Sequence, residues 1–214
     1  MVGEQRISAI EAQDRKANRR SIFINGKFAL GVDETVVVDL GLHVGQELSE
    51  EELQGIVRAE LVAKARQKAL RLLEYRPRSR AELARRLRGA GFAEDVIEET
   101  LKRLEVMGLI NDAQFSEAWV KHRLAGKGVG KARIRWELRQ KGVPTNVADE
   151  ALSAMDADVE YESAVDAARR RWEKDRSDER TKRRRLTSYL RRQGFEWEVV
   201  SRILNELSAE VEPE

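Results

Sequence analysis

Residues 79–104 read SRAELARRLRGAGFAEDVIEETLKRL, two short helices joined at a glycine. Ser79 is a good N-cap, and Glu82 three residues later completes a capping box. Leu83, Ala84 and Leu87 fall at helical spacing and share one face, with Arg80, Arg85, Arg86 and Arg88 on the others. Gly91 supplies the left-handed residue that ends a helix. The next helix carries Glu94 and Asp95 in its first turn, where they complement the helix dipole. Its apolar stripe is Val96, Ile97, Leu101 and Leu104.

The chain writes this pattern three times. Leu83, Leu87, Gly91, Ile97 and Leu101 recur as Ile134, Leu138, Gly142, Ala148 and Leu152. They recur again as Leu186, Leu190, Gly194, Val200 and Leu204, and an apolar residue follows each glycine: Phe92, Val143, Phe195. Each pair of helices has an amphipathic helix before it. The first is built on Val62, Ala65, Ala69, Leu72 and Leu73, and the second on Phe115, Ala118, Trp119 and His122. The third uses Tyr161, Val165, Ala168 and Trp172. The expected fold is therefore mostly α: three tandem three-helix repeats in an elongated arrangement, each burying part of its surface against a neighbour.

Strand character is confined to the start. SIFIN (21–25), Gly26 and KFALGV (27–32) predict a small N-terminal β-hairpin, because Asn25-Gly26 suits a type I′ turn. Residues 7–12 are a candidate third strand. In 33–40 the run Val36-Val37-Val38 favours a strand, whereas Asp33 suits the cap of a short helix from Glu34, which is the preferred reading. The expected division is a hairpin and short-helix element over 1–48, repeats over 49–110, 111–156 and 157–208, and an acidic tail over 209–214.

Charge is segregated. The net charge is +2 over 214 residues, but 64–142 carries 20 basic and 10 acidic side chains. Such asymmetry favours an anionic partner surface. The first repeat offers Arg78, Arg80, Arg85, Arg86 and Arg88, and the second Lys127, Lys131, Arg133, Arg135, Arg139 and Lys141. The third has a row of its own at Arg180, Lys182, Arg183, Arg184, Arg185, Arg191 and Arg192. Trp136 is two residues from both Ile134 and Leu138, so it points away from the core, with Arg133 and Arg139 on its own face. A tryptophan between arginines suits a stacked base or a protein anchor, and packing against another repeat is the structural alternative. Arginine rows fit phosphates and acidic protein grooves alike, so charge alone leaves both open. Trp119, Trp172 and Trp197 read as core or its edge.

The residues give little support to catalysis. There is no cysteine, and two histidines, His43 and His122, stand far apart. His122 falls on an apolar helix face and reads as structural. GKGVGK (126–131) misses the phosphate-loop pattern, with Ala125 and Ala132 where glycine and Ser or Thr are needed. No metal-ligand spacing appears, so the expectation is a protein without catalytic residues, metal or cofactor. No apolar run reaches the length of a membrane span, and the start lacks a signal peptide's apolar segment, which predicts a cytoplasmic protein.

LLEYRPRSRAELARRLRGAGF, LINDAQFSEAWVKHR and IRWELRQKGV together resemble the bacterial RecX regulatory family. FINGKFALGVDE and GQELSEEEL resemble the start of its longer members, so the likeness spans nearly the whole chain. The positions matching the family motif are Arg76, Pro77, Arg78, Ser79 and Glu82 in the first repeat. In the second they are Asn111, Asp112, Phe115, Arg123, Ile134, Glu137, Leu138, Lys141 and Gly142, whereas a tryptophan at 136 departs from the pattern. The resemblance implies a monomeric, non-enzymatic regulator of homologous recombination and DNA repair. Its partner would be the RecA recombinase filament on single-stranded DNA, whose growth, strand exchange and ATP hydrolysis it would restrain. Some members of the family bind single- or double-stranded DNA themselves. A stand-alone DNA-binding helical repeat protein is the alternative.

Overall fold

The computed structural model describes residues 5–13, 16–126, 128–154 and 157–209. Lys127 and most of the acidic tail therefore lie outside the described residues. In chain order the elements are β1 (Gln5–Gln13), β2 (Lys16–Ile24), β3 (Lys27–Asp33), α1 (Glu34–Asp39), β4 (Glu47–Leu48) and α2 (Glu50–Tyr75). Then come α3 (Arg80–Arg88), α4 (Glu94–Val106), α5 (Asp112–Ala125), α6 (Lys131–Gln140) and α7 (Thr145–Ser153). The last three are α8 (Ala157–Lys174), α9 (Glu179–Arg192) and α10 (Trp197–Ala209). The molecule is mostly helical, and three tandem three-helix domains follow an antiparallel sheet in the chain.

The sheet is larger than the expected hairpin. It has four strands in the order β3-β2-β1-β4. Asn25 and Gly26 both take positive φ, 49° and 76°, as a type I′ turn requires. The hairpin is only part of the sheet: β2 pairs β3 from Ile24↔Lys27 to Arg19↔Asp33, and on its other side pairs β1 from Ile7↔Ile24 to Gln13↔Lys16. The charged start of β2 gives no apolar alternation to read, and β4 is a two-residue pairing of Leu48 with Gln5 and Glu47 with Arg6. Asp33 caps α1 through the Thr35 amide, 3.0 Å from its Oδ1.

One helix serves two cores. The N-terminal half of α2 puts Ile56 and Ala63 against Ile7, Ile22, Val32 and Val36 of the sheet element. Its residues Val62, Ala65 and Ala69 join α3 and α4 around Leu83, Leu87, Ile97 and Leu101. Glu60 lies in the first of these stretches, 5% exposed. It accepts the Asp33 amide at 2.7 Å and pairs with Arg19 at 2.9 Å, so its buried charge is matched.

The repeat is literal in the cores. Leu83, Ile134 and Leu186, then Leu87, Leu138 and Leu190, are each at most 2% exposed. The three glycines after α3, α6 and α9 have φ of +87°, +78° and +87°. Each closes a Schellman turn: the amides of Phe92, Val143 and Phe195 bond the carbonyls of Leu87, Leu138 and Leu190 at 3.1–3.3 Å.

The chain divides into two compact units. The first holds residues 1–78 and Leu83–Ile110, and the second holds Ser79–Glu82 with Asn111–Glu214. Within the second unit, two glycine turns sit on the starts of helices. A Cβ on Gly142 would come 2.4 Å from the Ala81 Cβ. The neighbouring Lys141 carbonyl accepts the hydroxyl of fully buried Ser79 at 2.5 Å. One repeat later, Gly130 occupies the position of Ser79. Its amide donates to the Gln193 carbonyl at 2.9 Å, and the Ala132 amide to Gly194 at 3.1 Å. In the third repeat the same spacing falls on Lys182, which lies inside α9 and not before it, half-buried, with its Nζ 5.4 Å from the centre of the Trp172 ring. Gly91, the first-repeat counterpart of the seated glycines, has open space around it.

Two side-chain expectations fail. Ala118 and His122 are exposed, because α5 buries Phe115, Ser116 and Val120 and so faces inward along a neighbouring stripe. Trp197 is 53% exposed, since it opens α10 and the core side of that helix begins at Val200.

Candidate partner-binding surface

In the second repeat α6 turns Ile134 and Leu138 inward, and helical spacing then sets Trp136 outward at 52% exposure. The Arg133 guanidinium lies 5.1 Å from the Trp136 ring centre. Arg139 is exposed, and no ion pair holds it among the described residues. Arg133, Trp136 and Arg139 thus share an outward face, as spacing predicts.

Of the other second-repeat candidates, Arg135, Lys131 and Lys141 are engaged in structure. Glu137 accepts the Trp119 indole N–H at 3.1 Å, pairs with Arg123 at 2.9 Å, and takes the Arg133 Nε at 3.4 Å. Arg135 is tied to Asp149 at 2.6 Å. Lys131 pairs loosely with buried Glu160, which also accepts the Lys131 amide at 2.9 Å. Lys141 is drawn inward: its Nζ sits 4.0 Å from the centre of the Trp119 ring and 3.6 Å from Glu82. An ammonium over an indole face is held electrostatically, which explains why this lysine faces the interior.

In the first repeat Arg78 is also interior. It is 9% exposed, and its Nε donates to the Leu72 carbonyl at 3.0 Å near the end of α2. The Arg80 amide is received by Asp112 at 2.8 Å. Burial pushes the Asp112 carboxyl above its ordinary range, against the pull of that hydrogen bond and of the Arg80 charge. Arg88 makes a bidentate pair with Glu94 at 2.6 and 3.0 Å. Arg85 and Arg86 are exposed. The expected arginine row is thus part scaffold and part surface.

Sequence spacing does not reveal a basic cleft in the third repeat. It has a volume of about 900 Å³ and lies against α8, α9 and the link between them, with Arg170, Arg171, Lys174, Arg176 and Arg185 on its walls. Its signal in the sequence is the run RRRWEKDR (169–176), which hides because α8 also carries the third core. Asp175 is the acidic residue of the lining. Hydrogen bonds from the Ser177 side chain and backbone, with Arg185 beside them, hold its carboxyl down at about 2. The group's folded pKa lies below its unfolded value. Its stabilising effect is therefore present above about pH 4 and lost as pH falls through about 2. Asp175→Asn should flatten the acid limb of the melting curve relative to wild type over that window, as thermal scans at stepped pH would show.

Among the described residues no group of three or more His, Cys, Asp or Glu side chains could hold a metal ion. No described helix is long and apolar enough to cross a membrane.

Family models match along the chain. The model described as the Regulatory protein RecX N-terminal domain matches residues 5–49. Those for the first, second and third three-helix domains of RecX match 65–104, 111–152 and 158–204. A protein named Regulatory protein RecX from Clostridioides difficile (strain 630) is 31% identical over 202 residues, 94% of this chain and 95% of that one. Another of that name, from Streptomyces coelicolor, is 40% identical over 146 residues, 68% of this chain and 78% of its own length. Among solved structures, one titled "Crystal structure of regulatory protein RecX" superposes with a TM-score of 0.84 at 31% identity, covering 94% of this chain and 99% of that one. A second, RecX from Lactobacillus salivarius, has a TM-score of 0.67 at 28% identity, covering 71% of this chain and 99% of its own.

Proposed function

The chain belongs to the RecX family of regulatory proteins, and from that premise we propose that it is a non-catalytic regulator of the RecA recombinase. It binds the filament that RecA forms on single-stranded DNA and restrains filament growth, strand exchange and ATP hydrolysis. It acts as a monomer, through repeats bounded at 49–110, 111–156 and 157–208.

The observation that supports contact through the second repeat is the outward face of α6. There a half-exposed tryptophan has one arginine over its ring and a second beside it that no ion pair holds among the described residues. That is the composition of an interface anchor. Arg86 and Arg85 on α3 are further candidates on the first repeat. Arg78, Arg80, Arg88 and Lys141 act in this reading chiefly as scaffold, because their backbone or side-chain bonds are made within the fold.

The test is to add the protein to RecA on single-stranded DNA and follow ATP hydrolysis and strand exchange. Both should fall at amounts below one molecule per recombinase. Unchanged rates up to equimolar amounts would remove the proposal. Unchanged rates together with tight, salt-sensitive DNA binding would assign the chain to the stand-alone DNA-binding alternative.

A further inference from the structure

The third-repeat cleft carries more positive charge than the fold needs. Arg170, Arg171 and Lys174 project from one end of α8, and Arg176 extends the row into the link to α9. Arg185 faces them from α9, where Asp175 and Ser177 hold it, the latter at 2.7 Å. Among the described lining residues one acid therefore stands among five cations, and that residue is already committed to Arg185. The floor is bare. Ala167 supplies a methyl, and Gly126 and Gly128 supply backbone, close enough that a Cβ at Gly128 would come 3.3 Å from the Ala167 Cβ.

One aromatic ring completes the lining. Tyr189 is half-buried, packed on the third core, and the Arg171 guanidinium sits 4.7 Å from its ring centre. The cleft thus combines a row of phosphate-type donors with a π surface and a guanidinium plane beside it. Carboxylates would use only the donors. A nucleotide uses both: phosphate oxygens accept from arginine and lysine, and the base stacks beside the arginine–tyrosine pair. The volume of about 900 Å³ falls within the span of pockets that take organic ligands, about 300–1,000 Å³.

We propose that the cleft of α8 and α9 is a binding site for a nucleoside phosphate, either free or as part of a single strand. Arg170, Lys174 and Arg176 hold the phosphates, the base stacks against the Arg171–Tyr189 pair, and Arg185 is positioned by Asp175 and Ser177. The site does not depend on the recombinase reading, and its test omits RecA.

The experiment measures fluorescence anisotropy of labelled oligothymidylate with the full chain, with ATP and polyglutamate as separate competitors. Two double variants are compared. Arg170→Glu with Lys174→Glu reverses cleft charges. Arg191→Glu with Arg192→Glu makes the same change in net charge on exposed α9 residues outside the cleft lining. The cleft variant should lose binding by about tenfold or more, with the salt slope reduced by about 2, while the control changes by less than about threefold. Competition by ATP would identify a free nucleotide as sufficient, and its failure to compete would identify the strand. Equal losses in both variants, displacement by polyglutamate as effective as by either nucleotide source, or no binding of oligothymidylate or ATP would overturn the site. Circular dichroism of both variants checks that the fold survives, and Tyr189→Leu, which keeps the core filled, should weaken oligothymidylate binding on its own.

Discussion

Gly130→Ala is expected to lower the melting temperature of the second compact unit by on the order of 10 °C. The added methyl would lie 2.3 Å from the Gly194 carbonyl oxygen, 2.4 Å from its carbon and 2.5 Å from the Phe195 nitrogen. All three are main-chain atoms, so no rotamer change relieves the clash. The φ of Gly130 is −90°, which alanine adopts freely, and the effect is therefore purely one of close approach. Opening the contact also stretches the amide bonds from Gly130 and Ala132 to the 193–194 turn. Overpacking and two weakened hydrogen bonds together cost roughly 3 kcal/mol. Gly91→Ala is the natural comparison. Its φ is +87° but nothing lies within 4 Å, so only the conformational strain of about 1 kcal/mol remains. Differential scanning calorimetry of the two variants should show the larger drop for Gly130. Equal drops would mean that left-handed strain, and not the seating of one turn on another, governs these glycines.

Trp136→Ser combined with Arg139→Glu should weaken inhibition of RecA strand exchange about tenfold or more while leaving the melting temperature in place. Neither side chain belongs to a core cluster, and Arg139 gives up no ion pair among the described residues. This pair tests the surface more cleanly than reversing Arg133, Arg135 and Arg139 together. Arg135 is bound to Asp149, Arg133 bonds Glu137, and the Arg133 Cβ lies against the Gly194 turn. A lost effect in that triple variant could come from the scaffold. Titration of the double variant against RecA strand exchange gives the answer: inhibition at wild-type amounts would remove α6 from the contact surface.

The repeating frame is legible in the sequence because its signal is periodic and triplicated. Leucine spacing, a glycine at a fixed offset and an apolar residue after it each have one local physical meaning. The Asn25-Gly26 turn is legible for the same reason, whereas Val36–Val38 leaves 33–40 open between strand and helix until the Asp33 cap decides it. The surface is less so. Sequence spacing gives the side of a helix on which a cation stands, but not which carboxylate or carbonyl another element brings to it. Arg78 and Lys141 read as exposed charge and are interior, each held by groups remote in the local pattern: a helix-end carbonyl for Arg78, and a tryptophan face with Glu82 for Lys141. Trp136 is readable because its neighbours on both sides are fixed as core. The basic cleft is not, since its lining comes from two helices, the link between them, and Gly126 and Gly128 from the repeat before.

Lys182 marks where the stacking of glycine turns stops. Ser79 and Gly130 are small, and each meets the glycine turn of the next repeat, whereas the same spacing in the third repeat gives a long cation laid toward Trp172 inside α9. Each seated turn joins residues about sixty apart in the chain. A helix start is therefore completed only when the repeat after it has been made, which gives the second unit an order of assembly.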